Sequence, residues 1–148
     1  MARERSTMAG AGDRMPIWFQ RAENAMVAAA AAVAFVDLEF AWWWLLVLFL
    51  TFDVSMAGYA HSPRLGAWTY NTVHSYLGPA LAAILGVVSD ARWAAFLALL
   101  WAFHIGVDRL LGYGLKFCDA FTHTHLGEIG RARAVDRPVA RPPGGSRR

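Results

Sequence analysis

The sequence predicts an all-α fold: an integral membrane four-helix bundle with both termini in the cytoplasm. Three observations predict it. Apolar residues fill 57% of the 148 positions and charged residues only 17%, against about 45–50% and 25% in soluble chains. The apolar residues fall into four runs joined by short turns, a pattern that would leave a soluble fold no polar face to present to water. The basic residues gather at the two ends. Arg3, Arg5, Arg14 and Arg21 precede or open the first run, and Arg131, Arg133, Arg137, Arg141, Arg147 and Arg148 follow the last. Four crossings return both ends to one side, which the positive-inside rule makes cytoplasmic. A basic tail beside a membrane helix points to membrane lipids, not nucleic acid, as the partner. The composition therefore places the chain in the cell (inner) membrane as a multi-pass protein. A lone Cys118 excludes an intrachain disulfide and a cysteine-based zinc knuckle. No cleavable signal peptide is expected, because apolar sequence runs on past any Ala-rich processing site.

Three regions follow: a flexible lead over 1–15, a four-span membrane domain over 16–130 and a basic tail over 131–148 of disordered-type composition. The first span opens at Pro16-Ile17-Trp18-Phe19, with Trp18 at headgroup depth, and runs to about 36 through an Ala-rich stretch that permits close helix approach. It carries one anomaly, Glu23. Asp37-Leu38-Glu39 is an acidic outer turn. The second span starts at the Trp42-Trp43-Trp44 belt and reaches Tyr59, interrupted by Asp53. After the turn at His61-Ser62-Pro63-Arg64 the third covers 66–88, with Pro79 as a kink. The fourth covers 91–111, after a tight turn at Ser89-Asp90-Ala91-Arg92. Arg64, Arg109 and Lys116 fall on the cytoplasmic side. Arg92 alone dissents.

The fourth span carries His104 and Asp108. At i and i+4 they share one helical face, and ionisable groups inside a membrane segment are paired or functional by default. At about 1.5 Å per residue, Glu23, Asp53, His74 and His104 each lie on the order of 9–12 Å from the cytoplasmic end of their spans. Asn71 and Asp108 lie a turn shallower. Four helices thus deliver carboxylates and imidazoles to one level, which reads as a polar cavity open to the cytoplasm.

Imidazole and carboxylate donors suit Zn, Mn or Fe. The expected metal ligands are His74, His104 and Asp108, with His125 as a cap from the loop beyond the last span. Asp53 and Glu23 are the expected catalytic carboxylates, either as base or as a further ligand. The lead function is a metal-dependent membrane hydrolase acting on a lipid or amphiphile. The alternatives are axial haem ligation by His74 and His104 or a non-enzymatic, proton-handling membrane protein. The bland reading is that the polar residues simply satisfy one another between helices. Arg109 and Lys116 flank the opening, either as membrane anchors or as partners for an anionic headgroup.

Several motifs, taken together and in order, carry a resemblance. They are Glu23, Asp53-Val54-Ser55-Met56-Ala57-Gly58-Tyr59, Tyr70-Asn71-Thr72-Val73-His74, His104-Ile105-Gly106-Val107-Asp108-Arg109, Gly112-Tyr113-Gly114-Leu115-Lys116 and Thr124-His125-Leu126-Gly127. Over roughly 20–130 the chain resembles the bacterial domain-of-unknown-function family 4260, which implies a small multi-span membrane protein and supplies no established activity. Phe52 stands where the family pattern has Pro, and the Arg/Pro-rich tail lies outside the resemblance.

Overall fold

The computed structural model describes residues 15–119 and 121–128. The lead before Met15, the basic tail and Glu128's successors up to position 130 of the expected membrane domain lie outside the described residues. Within them the chain is helical: α1 (Met15–Asp37), α2 (Trp44–Val47), a 3-10 helix (Phe49–Ala60), α3 (Pro63–Val73), α4 (Leu77–Ser89) and α5 (Arg92–Leu111). A small antiparallel hairpin, β1 (His123–Thr124) with β2 (Gly127–Glu128), follows.

α1 and α5 form the central antiparallel pair. α1 buries Asn24, Ala28, Ala31 and Phe35, the four-then-three spacing of one helical stripe. Small residues let the backbones touch: a Cβ on Gly106 would stand 2.9 Å from the Ala28 Cβ and from the Asn24 carbonyl oxygen. Each helix also caps the other. Arg21 of α1 donates from Nε to the Leu110 carbonyl at 2.7 Å and from Nη2 to that of Leu111 at 3.1 Å. Arg92, the first residue of α5, donates to the Leu38 carbonyl beyond the end of α1 at 2.6 Å. A guanidinium at a helix C-terminus meets both the orphan carbonyls and the negative end of the dipole. The basic residue that dissented from the topology thus has a structural task. Gly112, at φ 99°, ends α5 with the Tyr113 and Gly112 amides on the carbonyls of Asp108 and Arg109, a Schellman cap.

Away from the capped end of α5, an aromatic core joins α1, α2 and α5. Phe35, Leu45 and Leu100 are buried there, and the Phe35, Phe40 and Phe96 rings lie 5.0–5.2 Å apart.

Two of the four expected spans are long and apolar enough to cross a bilayer, Pro63–Ser89 and Arg92–Leu111. α1 has the length but does not reach that apolarity. Trp44–Ala60 is apolar but shorter, and most of it is 3-10 helix. At roughly 2.0 Å per residue that helix covers more distance than an α-helix of equal length. Its faces repeat every three residues. Thr51, Val54, Ala57 and Ala60 are exposed, while the residues between them are half-buried. Gly58 and Gly66 bring it close to α3, since a Cβ at Gly58 would strike the Thr69 hydroxyl and one at Gly66 the Tyr59 ring.

The expected kink at Pro79 is a full break over His74, Ser75 and Tyr76, between α3 and α4. Proline has no N–H to offer the Ser75 carbonyl, and its ring crowds that position. The freed carbonyls find other donors: Trp101 Nε1 reaches Val73 O at 2.6 Å, and Arg109 reaches His74 O at 3.2 Å. His74 is thereby placed at a helix end instead of on a continuous barrel of side chains.

Candidate metal centre

Four side chains from three elements converge. Asp53 comes from the 3-10 helix, His74 from the end of α3, and His104 and Asp108 from successive turns of α5. One ligand atom of each lies within 4.8 Å of all the others. His104 Nε2 stands 3.0 Å from His74 Nε2. Asp53 Oδ1 is 3.4 Å from His74 Nε2 and 3.9 Å from His104 Nε2. Asp108 Oδ2 is 3.6 Å and 3.8 Å from the same two nitrogens. A tetrahedral ion with ligands at about 2.0–2.2 Å would hold its ligand atoms about 3.3–3.6 Å apart. Five of the six edges of this cage lie close to that range, so the donor set and its size fit a metal ion.

The surrounding residues orient the ligands. His74 Nδ1 lies 3.0 Å from the Tyr70 carbonyl. A carbonyl only accepts, so Nδ1 carries the proton and Nε2 turns a bare lone pair into the cage, the arrangement that metal-binding imidazoles use. The Tyr70 ring stacks on the His74 ring at 3.8 Å and 12°, and its hydroxyl lies 3.4 Å from Asp108 Oδ2. Phe49 and Phe52 pack on the His104 ring, whose Nδ1 is buried without a hydrogen-bond partner. Two bare imidazole nitrogens 3.0 Å apart would repel. Either a neutral His104 donates its Nε2–H to the His74 lone pair, or a metal ion stands between the two nitrogens. The same spacing leaves no room for haem, whose axial nitrogens stand about 4 Å apart across a planar macrocycle.

Exposure grades the set. The His104 and His74 side chains are 0% and 3% exposed, that of Asp108 12% and that of Asp53 22%. Asp53 therefore stands at the mouth.

Two expected site residues lie elsewhere. Glu23 is exposed on α1 and is not part of the cluster. One residue on, and about 100° around the helix, Asn24 turns inward, donates to the Gln20 carbonyl and accepts from the Tyr76 hydroxyl at 2.6 Å. His125 is not a cap on the cluster either. Its Nδ1 accepts the Leu115 amide at 2.8 Å, and its own amide returns to the Leu115 carbonyl at 3.1 Å. Burial, and then the charge of Arg109, holds this imidazole below its ordinary pKa.

Lys116 was expected only at the rim; in the structure it is 5% exposed. Asn71, from α3, pairs with both of its backbone groups: Nδ2 donates to Lys116 O at 2.8 Å and Oδ1 accepts from Lys116 N at 2.7 Å. The ammonium lies 5.0 Å from the Tyr70 ring centroid and 4.0 Å from that of Phe121. Burial lowers its pKa, and the carboxylates of Asp108 and Asp53 pull it back up. Arg109, by contrast, is engaged by the His74 carbonyl and the Tyr76 ring.

No curated protein and no solved structure matches the chain. The family model described as a domain of unknown function (DUF4260) matches residues 18–129, and the chain belongs to that family.

Proposed function

We propose that the chain is a multi-pass protein of the cell membrane, both termini cytoplasmic, that uses His74, His104 and Asp108 to hold a divalent transition metal, with Asp53 beside it as the base, to hydrolyse an ester in a lipid or other amphiphile. The convergence of four donor atoms within 4.8 Å carries this reading. The membrane setting is supported by an inverted surface. Val87, Val88, Leu77 and Trp68 are 85%, 79%, 74% and 71% exposed, while His104 is fully buried. In water such a surface would associate without limit; against lipid tails it is the compatible one.

His74, His104 and Asp108 are the deep ligands, which leaves a fourth position free, as in catalytic sites with three protein ligands. Zn, Mn and Fe all accept this donor set. A bound ion supplies Lewis acidity, polarising the ester oxygen and making water acidic near neutral pH. Asp53, at the mouth, takes the proton of the attacking water and returns it to the leaving alkoxide as the ester bond breaks. Tyr70 holds Asp108 in place. An apolar groove of about 520 Å³, lined by Trp68, Leu77, Leu81 and Trp101 among others, is of a kind that suits the acyl chain of such a substrate.

The test is elemental analysis with an absorbance spectrum on detergent-purified protein, wild type beside His104→Ala. The expected result is about one Zn, Mn or Fe per chain, lost in the variant, with no haem absorbance. A metal-free wild type purified without chelator, and unable to take up added Zn or Mn, overturns the reading; the two histidines then share a proton.

A further inference from the structure

We infer that Lys116 is the residue that recognises the substrate's charge, and that the site takes an amphiphile whose scissile group is a singly charged phosphodiester. This rests on the metal-centre reading above and names its substrate. Four observations carry it. The Lys116 backbone is clamped by the paired hydrogen bonds from Asn71 and by the bridge to Thr124, so the side chain starts from a fixed point. Its head is covered by the Tyr70 and Phe121 rings. Tyr70 is also the residue that touches His74 and Asp108, which puts the cation beside the cluster. Among the described residues, the ammonium makes no ion pair and no hydrogen bond: the carboxylates of Asp53 and Asp108 face the two histidines instead.

The charges then decide the ligand. Two carboxylates balance one divalent ion, the histidines are neutral as ligands, and the charge of Lys116 is left over. A buried site with one uncompensated positive charge and three free N–H donors favours a monoanion. A phosphodiester carries a single negative charge on oxygens adjacent to its ester bonds, so one oxygen can meet Lys116 while the phosphorus faces the mouth at Asp53. A neutral carboxylic ester offers Lys116 nothing, and burying the cation against it is unfavourable. Among the described residues Arg109 also has no carboxylate partner, but it is half-buried, so solvent meets its charge, and its guanidinium is turned to the His74 carbonyl and the Tyr76 ring; the buried uncompensated charge is that of Lys116.

The experiment uses full-length protein in detergent: wild type, Lys116→Met, which keeps the length and loses the charge, and Lys116→Arg, which keeps the charge. Metal content is measured on each. Binding is then measured by calorimetry for a dialkyl phosphate, the uncharged trialkyl phosphate of equal chain length, and inorganic phosphate. Wild type is expected to prefer the dialkyl phosphate over the neutral compound by about 10–100-fold, the range of a charge-assisted hydrogen bond. Lys116→Met is expected to lose that preference with metal content unchanged, and Lys116→Arg to keep much of it. Inorganic phosphate binding as tightly as the dialkyl phosphate would overturn the amphiphile and leave a soluble oxoanion as ligand. A metal-loaded, folded Lys116→Met protein that discriminates like wild type overturns the assignment of Lys116. A metal-free wild type that discriminates through Lys116 overturns the metal centre alone, so the two readings fail separately.

Discussion

Asn71→Ala is expected to release the segment after α5 without unfolding the helices. Asn71 makes two hydrogen bonds to one residue, at 2.7 and 2.8 Å, to the amide and the carbonyl of Lys116. The two partners are only 45 positions apart in sequence but belong to different elements, so nothing local replaces them. Each such bond contributes about 0.5–1.5 kcal/mol, and a buried group left unmatched costs about 1–3 kcal/mol. The substitution exposes two such groups in a residue that is 5% exposed, for an expected shift of about 2–4 kcal/mol in favour of the open segment. Every 1.4 kcal/mol is a factor of ten. Opening at Lys116 therefore becomes about 30- to 1,000-fold more frequent. Hydrogen exchange read by mass spectrometry on peptides spanning 112–119 measures it directly, since exchange follows the local opening equilibrium. Tryptic cleavage after Lys116 is expected to accelerate in parallel. Peptides from α1 and the first two turns of α5 should keep wild-type protection. Exchange at Lys116 within twofold of wild type would refute the argument, as would loss of protection throughout α5.

Two further expectations follow from the packing and from the loop. Gly106→Val is expected to cost about 1–3 kcal/mol, because its Cβ would meet the α1 backbone at Asn24 and Ala28 and not a yielding side chain; thermal melts beside the exposed Ala30→Val on the other side of α1 would show it, and equal melting of the two would count against the close α1–α5 contact. Acidification should loosen the hairpin, because the folded pKa of His125 is held below the ordinary 6.5 by burial and by Arg109. The open form then binds the extra proton first, so docking is intact above about 6.5 and weakens as pH falls through that value toward the folded pKa. Faster exchange at Leu115 on going from pH 7.5 to 5.5, after correction for intrinsic rate and absent in His125→Gln, is the expected outcome.

How far the sequence could be read depended on whether a feature was set by height along a helix or by angle around it. Height was legible. Counting residues from the span ends brought Asp53, His74 and His104 to one level and Asp108 a turn away, and those four meet in the structure. Angle was misjudged once. Glu23 has the right height, but the stripe of α1 that faces inward runs through Asn24, Ala28, Ala31 and Phe35. A phase check against Ala28 and Phe35 would have selected Asn24 and put Glu23 outside. His125 failed for another reason: the loop that carries it turns back on Leu115, a pairing no periodicity announces. Lys116 was placed at the rim and not inward, because the clamp that buries it comes from Asn71 on another helix.

The 3-10 helix shows why the second span resisted reading, and what it contributes to the site. An α-helix over the same residues would set Asp53 on the face of Phe49 and Ala57. From Thr51 on, the threefold period instead gives two half-buried columns and one exposed column, Thr51, Val54, Ala57 and Ala60. Phe49 and Phe52 fall in one inward column, where both rings pack on His104, and Asp53 falls in the other, where its carboxylate meets both imidazoles. A single tight helix can therefore line the His104 ring with aromatics and still present the adjacent residue to the cage. Under a 3.6 period, adjacent residues differ by about 100° and the columns drift; under a period of 3 they stay aligned along the whole segment. The greater rise, about 2.0 Å against 1.5 Å, also carries the segment from the Trp44 end to the turn at His61 in fewer residues.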